Sequence, residues 1–194
     1  AGGRAPLPLL IKYYKPAGLM ATLNNRWGTG DAEDLRSVVV MAGDEFELDL
    51  YHPVGGMPTK MSGLLLWSRS GRLTRELDSL SRGVVHEFEA EVYGVVDEEK
   101  LGDQLKAGIQ VGIPGFLERK YALLRESKYL EGSSLQEPRS SVKVATREGR
   151  SMLEKILESC GYKVARVKRA RIGPLSLEGL AAGGLAAATE EEKE

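Results

Sequence analysis

A two-residue alternation at positions 85–92 constrains the fold of this chain more than any other feature. Apolar or aromatic side chains occupy every second position, and glutamates occupy the positions between them. The first set is His86, Phe88, Ala90 and Val92, and the second is Glu87, Glu89 and Glu91. Because successive side chains of a strand point to opposite faces, one face of this segment is predicted to lie in the core and the other in water.

Helical spacing or capping signals mark three further segments. They are Leu73–Leu80, Asp97–Lys106 and Ser151–Cys160. Asp97 is a predicted N-cap, and Ser151 with Glu154 forms an S-x-x-E capping box in a helix that Gly161 closes. A weaker helical pattern covers Leu117–Leu124. Strands and capped helices without a repeating βα unit predict an α+β fold.

Composition excludes several classes of function. The chain has 194 residues and a formal net charge of −1, so any attraction to nucleic acid must come from a local patch. One cysteine and two histidines leave no set of soft ligands, so neither a metal site nor a cofactor is expected. No apolar run approaches the roughly 20 residues that span a bilayer, so no membrane partner is expected.

A local basic patch does occur near the end of the chain. Its members are Lys163, Arg166, Lys168, Arg169 and Arg171, and no acidic residue lies between Glu158 and Glu178. A stripe of this kind can contact phosphates in a salt-dependent way. The alternative is a solvated strand edge that its charges protect from further pairing.

Several short motifs occur along the chain in a recognisable order. They are YKPAG at 14–18, HPVGGMPTKMSGLLL at 52–66, EGR at 148–150 and RVKRARIGPL at 166–175. These segments resemble the motifs (N/Y)KPxGxxxT, GRLDxDTSGLLL, EGRxxxxxRxM and LxRxRIGPLxLxGL of the RsuA/RluB/RluE/RluF family of ribosomal RNA pseudouridine synthases. The resemblance implies a bent, mostly antiparallel mixed sheet with a central cleft and flanking helices.

The resemblance also implies that the catalytic chemistry is missing. Gly56, Met57 and Pro58 stand where the family has Arg, Leu and its catalytic Asp, so we predict no catalytic residue. At the family's Lys-x-Tyr pattern the chain has His86 and Phe88, which are predicted to lie in the cleft. An aromatic ring can still stack on a base, but Phe88 has no hydroxyl.

Other acids near the loop are poor substitutes for the missing carboxylate. Asp49 alternates with apolar residues of a predicted strand, and Asp78 falls on a predicted helix surface. Exposed acids on amphipathic elements are usually solvated, so neither is assigned a catalytic role.

The predicted RNA-binding set joins the basic patch to two residues that the family motifs add. It comprises Lys15, Arg150, Lys163, Arg166, Lys168, Arg169 and Arg171. The predicted organisation is an N-terminal extension at 1–8, a pseudouridine synthase-like domain of two lobes at 9–183 and an acidic tail at 184–194.

Three functions remain open at this stage. The favoured one is an inactive synthase homologue that binds ribosomal RNA in a ribosome or its assembly machinery, with ribosomal or assembly proteins as partners. Its favoured location is an organelle, a mitochondrion or plastid, and the cytoplasm is the alternative. The second is an active synthase that uses a non-standard acid. The third is a protein-interaction scaffold, which the acidic face of Glu87, Glu89 and Glu91 would suit.

Overall fold

A computed structural model describes residues 7–21, 50–54, 56–78, 83–131, 137–189 and 192 of the chain. The elements of this part, in chain order, are β1 (Leu10–Lys15), β2 (His52–Val54), β3 (Ser62–Ser68), α1 (Gly71–Asp78), β4 (His86–Tyr93), α2 (Glu98–Ala107), β5 (Ile109–Ile113), β6 (Phe116–Lys120), β7 (Ala122–Tyr129), β8 (Arg139–Thr146), α3 (Arg150–Ser159), β9 (Val164–Ile172), β10 (Leu175–Ser176) and β11 (Leu185–Ala187). They fall into two compact units, the first made of residues 1–82 and 174–194 and the second of residues 83–173.

The sheet of the first unit is built on β3. This strand pairs antiparallel with β1 and with β2, and β11 pairs antiparallel with β1. The apolar run Leu64–Trp67 is fully buried, as expected for a central strand with both faces covered.

The sheet of the second unit has the order β9-β4-β8-β7, with every neighbouring pair antiparallel. Phe88, Ala90 and Val92 of β4 are buried, which confirms the alternation predicted from the sequence. Strand β9 has two register shifts against β4, which leave Ala165 and Ala170 as extra residues on its side of the ladder. Each is a β-bulge, and each reverses the face to which the following residues point.

Helices α2 and α3 cover apolar side chains of the second unit. Helix α2 buries Leu101 and Leu105, and the Asp97 side chain accepts a hydrogen bond from the Lys100 amide at 3.0 Å, so the predicted N-cap is confirmed. Helix α3 buries Leu153, Ile156 and Leu157. Both helices follow the spacing that their sequences predicted.

Two local predictions are wrong. Residues 117–124 form parts of β6 and β7 rather than a helix, because the Pro114-Gly115 turn, with Gly115 at φ +90°, folds β5 and β6 into a hairpin. Helix α3 begins without the capping box, since Gly149 is the N-cap and no side chain caps it. Glu154 instead accepts a hydrogen bond from Arg150 at 2.8 Å.

Some predicted features lie outside the described residues, and part of the predicted tail is structured. The final residues of the predicted helix Leu73–Leu80 lie outside the described residues, as does Asp49. Within the segment predicted as an acidic tail, residues 185–187 form β11, and Glu192 pairs with Lys12 at 2.6 Å. None of the helices in the described ranges is long and apolar enough to cross a bilayer.

Replacing Gly161 by Ala is expected to destabilise the protein by about 1–2 kcal/mol, because Gly161 has φ +93° and a side chain is disfavoured in that region. The Gly161 and Tyr162 amides donate to the Glu158 and Leu157 carbonyls, both at 2.9 Å, so the turn that closes α3 depends on this conformation. Urea denaturation measures the effect.

Gly102→Ala is the matched control. Gly102 lies inside α2 with open space where the alanine methyl group would be placed, so this change is expected to stabilise the protein by about 0.5–1 kcal/mol. A Gly161→Ala variant more stable than Gly102→Ala would contradict the turn assignment.

Candidate functional site

The degenerate loop between β2 and β3 is held in place by its backbone. Met57 is buried, whereas Gly56 and Pro58 are exposed. The Met61 amide donates to the Pro58 carbonyl at 3.0 Å, and the Gly18 amide donates to the Thr59 carbonyl at 2.8 Å. These bonds tie the loop to the Pro16–Gly18 turn, so the first two motifs of the sequence meet in the first unit.

Lys15 reinforces the same junction from inside. Its side chain is fully buried, and its Nζ donates to the carbonyls of Pro16 at 2.8 Å, Leu19 at 2.7 Å and Thr59 at 3.4 Å. Burial lowers the pKa of Lys15 to about 8. In this structure the ammonium is therefore a clamp between two segments and has no exposed atom to offer a phosphate.

The two predicted cleft residues of β4 are neighbours on its buried face. Phe88 is 2% exposed, and the His86 and Phe88 rings are nearly parallel with centroids 6.1 Å apart. The buried Nδ1 of His86 has no hydrogen-bond partner among the described residues. Burial, with a smaller effect of the Arg169 charge, lowers the pKa of His86 to about 4, so this ring is neutral at pH 7.

The predicted basic patch is divided between the two faces of the sheet. Arg169 lies opposite Phe88 and is buried, and Lys168 lies opposite Glu89 on the other face. Because Ala170 is an extra residue, Arg171 returns to the face of Lys168 although it is only two positions beyond Arg169. The linear cluster is therefore not one continuous cationic surface.

The cations on the outer face pair with the glutamates of β4. The pairs are Arg171 with Glu87 (Nε to Oε2, 3.4 Å), Lys168 with Glu89 (Nζ to Oε2, 2.5 Å) and Arg166 with Glu91 (Nε to Oε2, 3.9 Å). Arg139 of β8 also donates to Glu91, at 2.6 Å. Directly opposed charges of this kind stabilise a sheet modestly, by about 0.2–1 kcal/mol each, and they reduce the net positive field of the stripe.

The remaining predicted RNA-binding residues lie in separate settings. Arg150 pairs with Glu154 one turn along α3. The Nζ of Lys163 lies 5.6 Å from the centroid of the Tyr93 ring, close enough for a cation–π interaction. No group of three or more potential metal ligands occurs among the residues that the structure describes.

One feature of the second unit escaped the sequence patterns. A cavity of about 430 Å³ lies beside β7 and β8, and its lining includes Tyr121, Lys106, Arg125 and Arg147. These residues are spread over some forty positions, so no linear cluster indicates them. The sequence signal that could have indicated them is Tyr121, an aromatic residue that separates the two charged segments of β6 and β7.

Comparison with known proteins identifies relatives that align with most of the chain. No family model matches the chain. The ribosomal large subunit pseudouridine synthase B of Salmonella typhi is 32% identical over 181 residues, and that of Yersinia pestis is 30% identical over 177 residues. The chain is thus similar to these pseudouridine synthases. Each alignment covers 90% of this chain, which spans about half the length of these relatives, 55% and 50% respectively.

A solved structure of a pseudouridylate synthase has the same fold as this chain. It superposes with a TM-score of 0.71 at 19% identity, covering 95% of this chain and 71% of the other. The predicted α+β pseudouridine synthase fold is thereby confirmed.

Replacing Lys15 by Met should lower the free energy of unfolding of this pseudouridine synthase homologue by about 1–3 kcal/mol, because buried carbonyls lose their donor. The midpoint of urea denaturation measures this decrease. Lys60→Met, which changes an exposed lysine of the same loop, is the control. Matching midpoints for the two variants would show that the clamp contributes nothing.

His86 should make the protein less stable as the pH falls. Its folded pKa of about 4 lies below the ordinary value of 6.5, so the unfolded chain binds a proton in this window and the folded chain does not. Stability is therefore fully present above about pH 6.5 and decreases by up to about 3 kcal/mol as the pH falls to about 4.

Urea denaturation between pH 6.5 and 5 tests this effect. His86→Leu should flatten the pH dependence, whereas His52→Leu, which removes an exposed histidine, should preserve it. An unchanged slope in His86→Leu would assign the pH dependence to other groups.

Proposed function

We propose that this chain is a pseudouridine synthase homologue that binds ribosomal RNA without isomerising uridine. The observation that carries the proposal is Pro58, an exposed residue without any polar side-chain atom in the loop that the family motif uses for its carboxylate. The loop is tied to Gly18 and Lys15, so its framework persists where the reactive group is absent.

The reaction itself explains why this substitution is decisive. Uridine must lose its N1–C1′ bond and rejoin its sugar through C5, and a carboxylate can serve that exchange as a nucleophile or a general base. Residues 50–63 contain no acidic residue, and Gly56 supplies no cation to pair with one. Both groups of the implied catalytic pair are thus missing from this loop.

RNA is the proposed partner because of the relatives and not because of overall charge. Both curated relatives are named for the large ribosomal subunit. Since the net charge is −1 and much of the β9 stripe is paired, RNA binding has to rest on local groups. Ribosomal or assembly proteins are further proposed partners.

An active synthase is the second candidate, and the names of the relatives favour it. It would need a carboxylate from outside the degenerate loop. Asp78 is exposed on α1, and Asp49 precedes β2 in the sequence. These two acids are therefore the residues to test.

The scaffold hypothesis has weaker support. It relied on a free acidic face of β4, but Glu87, Glu89 and Glu91 each pair with a cation of a neighbouring strand. A partner protein would have to displace those cations before it could use the glutamates.

Purified protein incubated with a ribosomal RNA fragment should form no pseudouridine, as measured by chemical adduct formation and primer extension. The synthase B of Salmonella typhi, assayed on its own substrate, shows that the method works. Pro58→Asp alone should not restore activity, because Gly56 still lacks the partner cation. Pseudouridine made by the unmodified chain and abolished in Asp49→Asn or Asp78→Asn would establish the active synthase instead.

A further inference from the structure

The cavity beside β7 and β8 combines an apolar floor with a cationic rim. The apolar residues of its lining, here called the floor, include Val85, Leu123 and Ala145, and the charged residues, here called the rim, are Lys106, Arg125, Arg147 and Glu148. A volume of about 430 Å³ falls within the range of about 300–1,000 Å³ that is typical of ligand pockets. All of its lining residues in the described part of the chain lie in the second unit.

The cations of this rim differ from those of β9 because carboxylates leave them largely unpaired. Lys106 and Arg147 have no carboxylate within 4.0 Å among the residues that the structure describes, and Arg125 reaches Glu87 only at 3.9 Å. The acid of the rim, Glu148, lies 3.5 Å from Lys120. The cavity therefore has an excess of positive charge that the outer face of β9 lacks.

Tyr121 gives the cavity an aromatic wall with a defined position. The ring lies against Gly108, so close that a β-carbon there would come within 2.6 Å of the ring. The Thr146 hydroxyl donates to the Tyr121 carbonyl at 3.1 Å and accepts from the Glu148 amide at 3.1 Å, which fixes the backbone of the wall. Even so, Tyr121 is 57% exposed.

We propose that this cavity is an accessory site for single-stranded RNA, in which a base stacks on Tyr121 and the flanking phosphates bind Lys106, Arg125 and Arg147. An aromatic platform beside cations is the combination that binds single strands without reading their sequence. The exposed ring favours RNA over an acidic peptide, since a peptide of carboxylates needs the cations alone. This inference rests on the proposed function, because it assigns part of the RNA binding to a specific place.

Fluorescence anisotropy with a labelled oligouridine tests the site in the full chain. Lys106→Gln combined with Arg147→Gln should weaken binding and lower the slope of log affinity against log salt by about 0.7 for each phosphate that is no longer bound. Lys100→Gln combined with Lys155→Gln is the matched control, because it removes the same charge from exposed helix positions that have no ion pair among the described residues. The control should retain the salt slope.

The aromatic wall is tested separately from the charges. Tyr121→Ala should weaken oligouridine binding about fivefold or more, whereas Tyr121→Phe, which keeps the ring, should bind like the unmodified chain. Thermal unfolding of each variant shows whether it is folded. Tyr121→Phe and the charge variants keep the test valid if Tyr121→Ala does not fold.

Three outcomes would overturn the site, and they are distinguishable. If the unmodified chain binds oligouridine and ribosomal RNA but the Lys106/Arg147 variant equals its control, the cavity is not the site and the proposed function stands. If the unmodified chain binds neither RNA, both proposals fail. If polyglutamate of the same length binds more tightly than oligouridine and only its binding is abolished in the variant, the cavity serves an acidic protein partner.

Discussion

The backbone pairing of β4 with a strand on each side is the interaction on which the second unit depends. Both ladders are antiparallel and run along nearly the whole strand. They fix the direction of every side chain, so Phe88 and its alternating neighbours enter the core while the glutamates project outward. The outward glutamates then meet the cations of β9 and β8. One hydrogen-bonded ladder thus sets both the packing of the core and the arrangement of charge.

That arrangement explains why the strand could be predicted from its sequence and its electrostatic role could not. Alternation along β4 is a local pattern, and it follows directly from the period of two. The pairing of Lys168 with Glu89 joins residues that are far apart in the chain, so a count of charges along β9 overestimates the positive field. Lys106 and Arg147, which have no carboxylate within 4.0 Å among the described residues, are separated in sequence and were not predicted as part of a site.

The local predictions that failed did so where a neighbouring turn or side chain competed with the predicted local structure. Residues 117–124 have apolar positions that suit either a helix or a strand. They form strands because the turn at Gly115 folds the chain back into a hairpin. In the first turn of α3, Glu154 pairs with Arg150 instead of completing a capping box. The motifs around Lys15 and Pro58 were more informative. Each resembles a motif of the same family, and in the structure a hydrogen bond from Lys15 to Thr59 joins their two segments. The similarity to pseudouridine synthases and the α+β fold could therefore be predicted, whereas the charge pairing could not.

The bulge at Ala170 has a consequence for how this chain tolerates changes in length. Because Ala170 has no opposite residue on β4, its deletion would leave a regular ladder in which Arg169 still lies opposite Phe88 and Arg171 still lies opposite Glu87. Neither the buried Arg169 nor the ion-paired Arg171 would change face, and the deletion would instead remove the bend and the extra twist that a bulge gives its strand. Ala170 is thus a spacer that shapes the path of β9, and this strand can lose one residue there without exchanging the environments of its arginines.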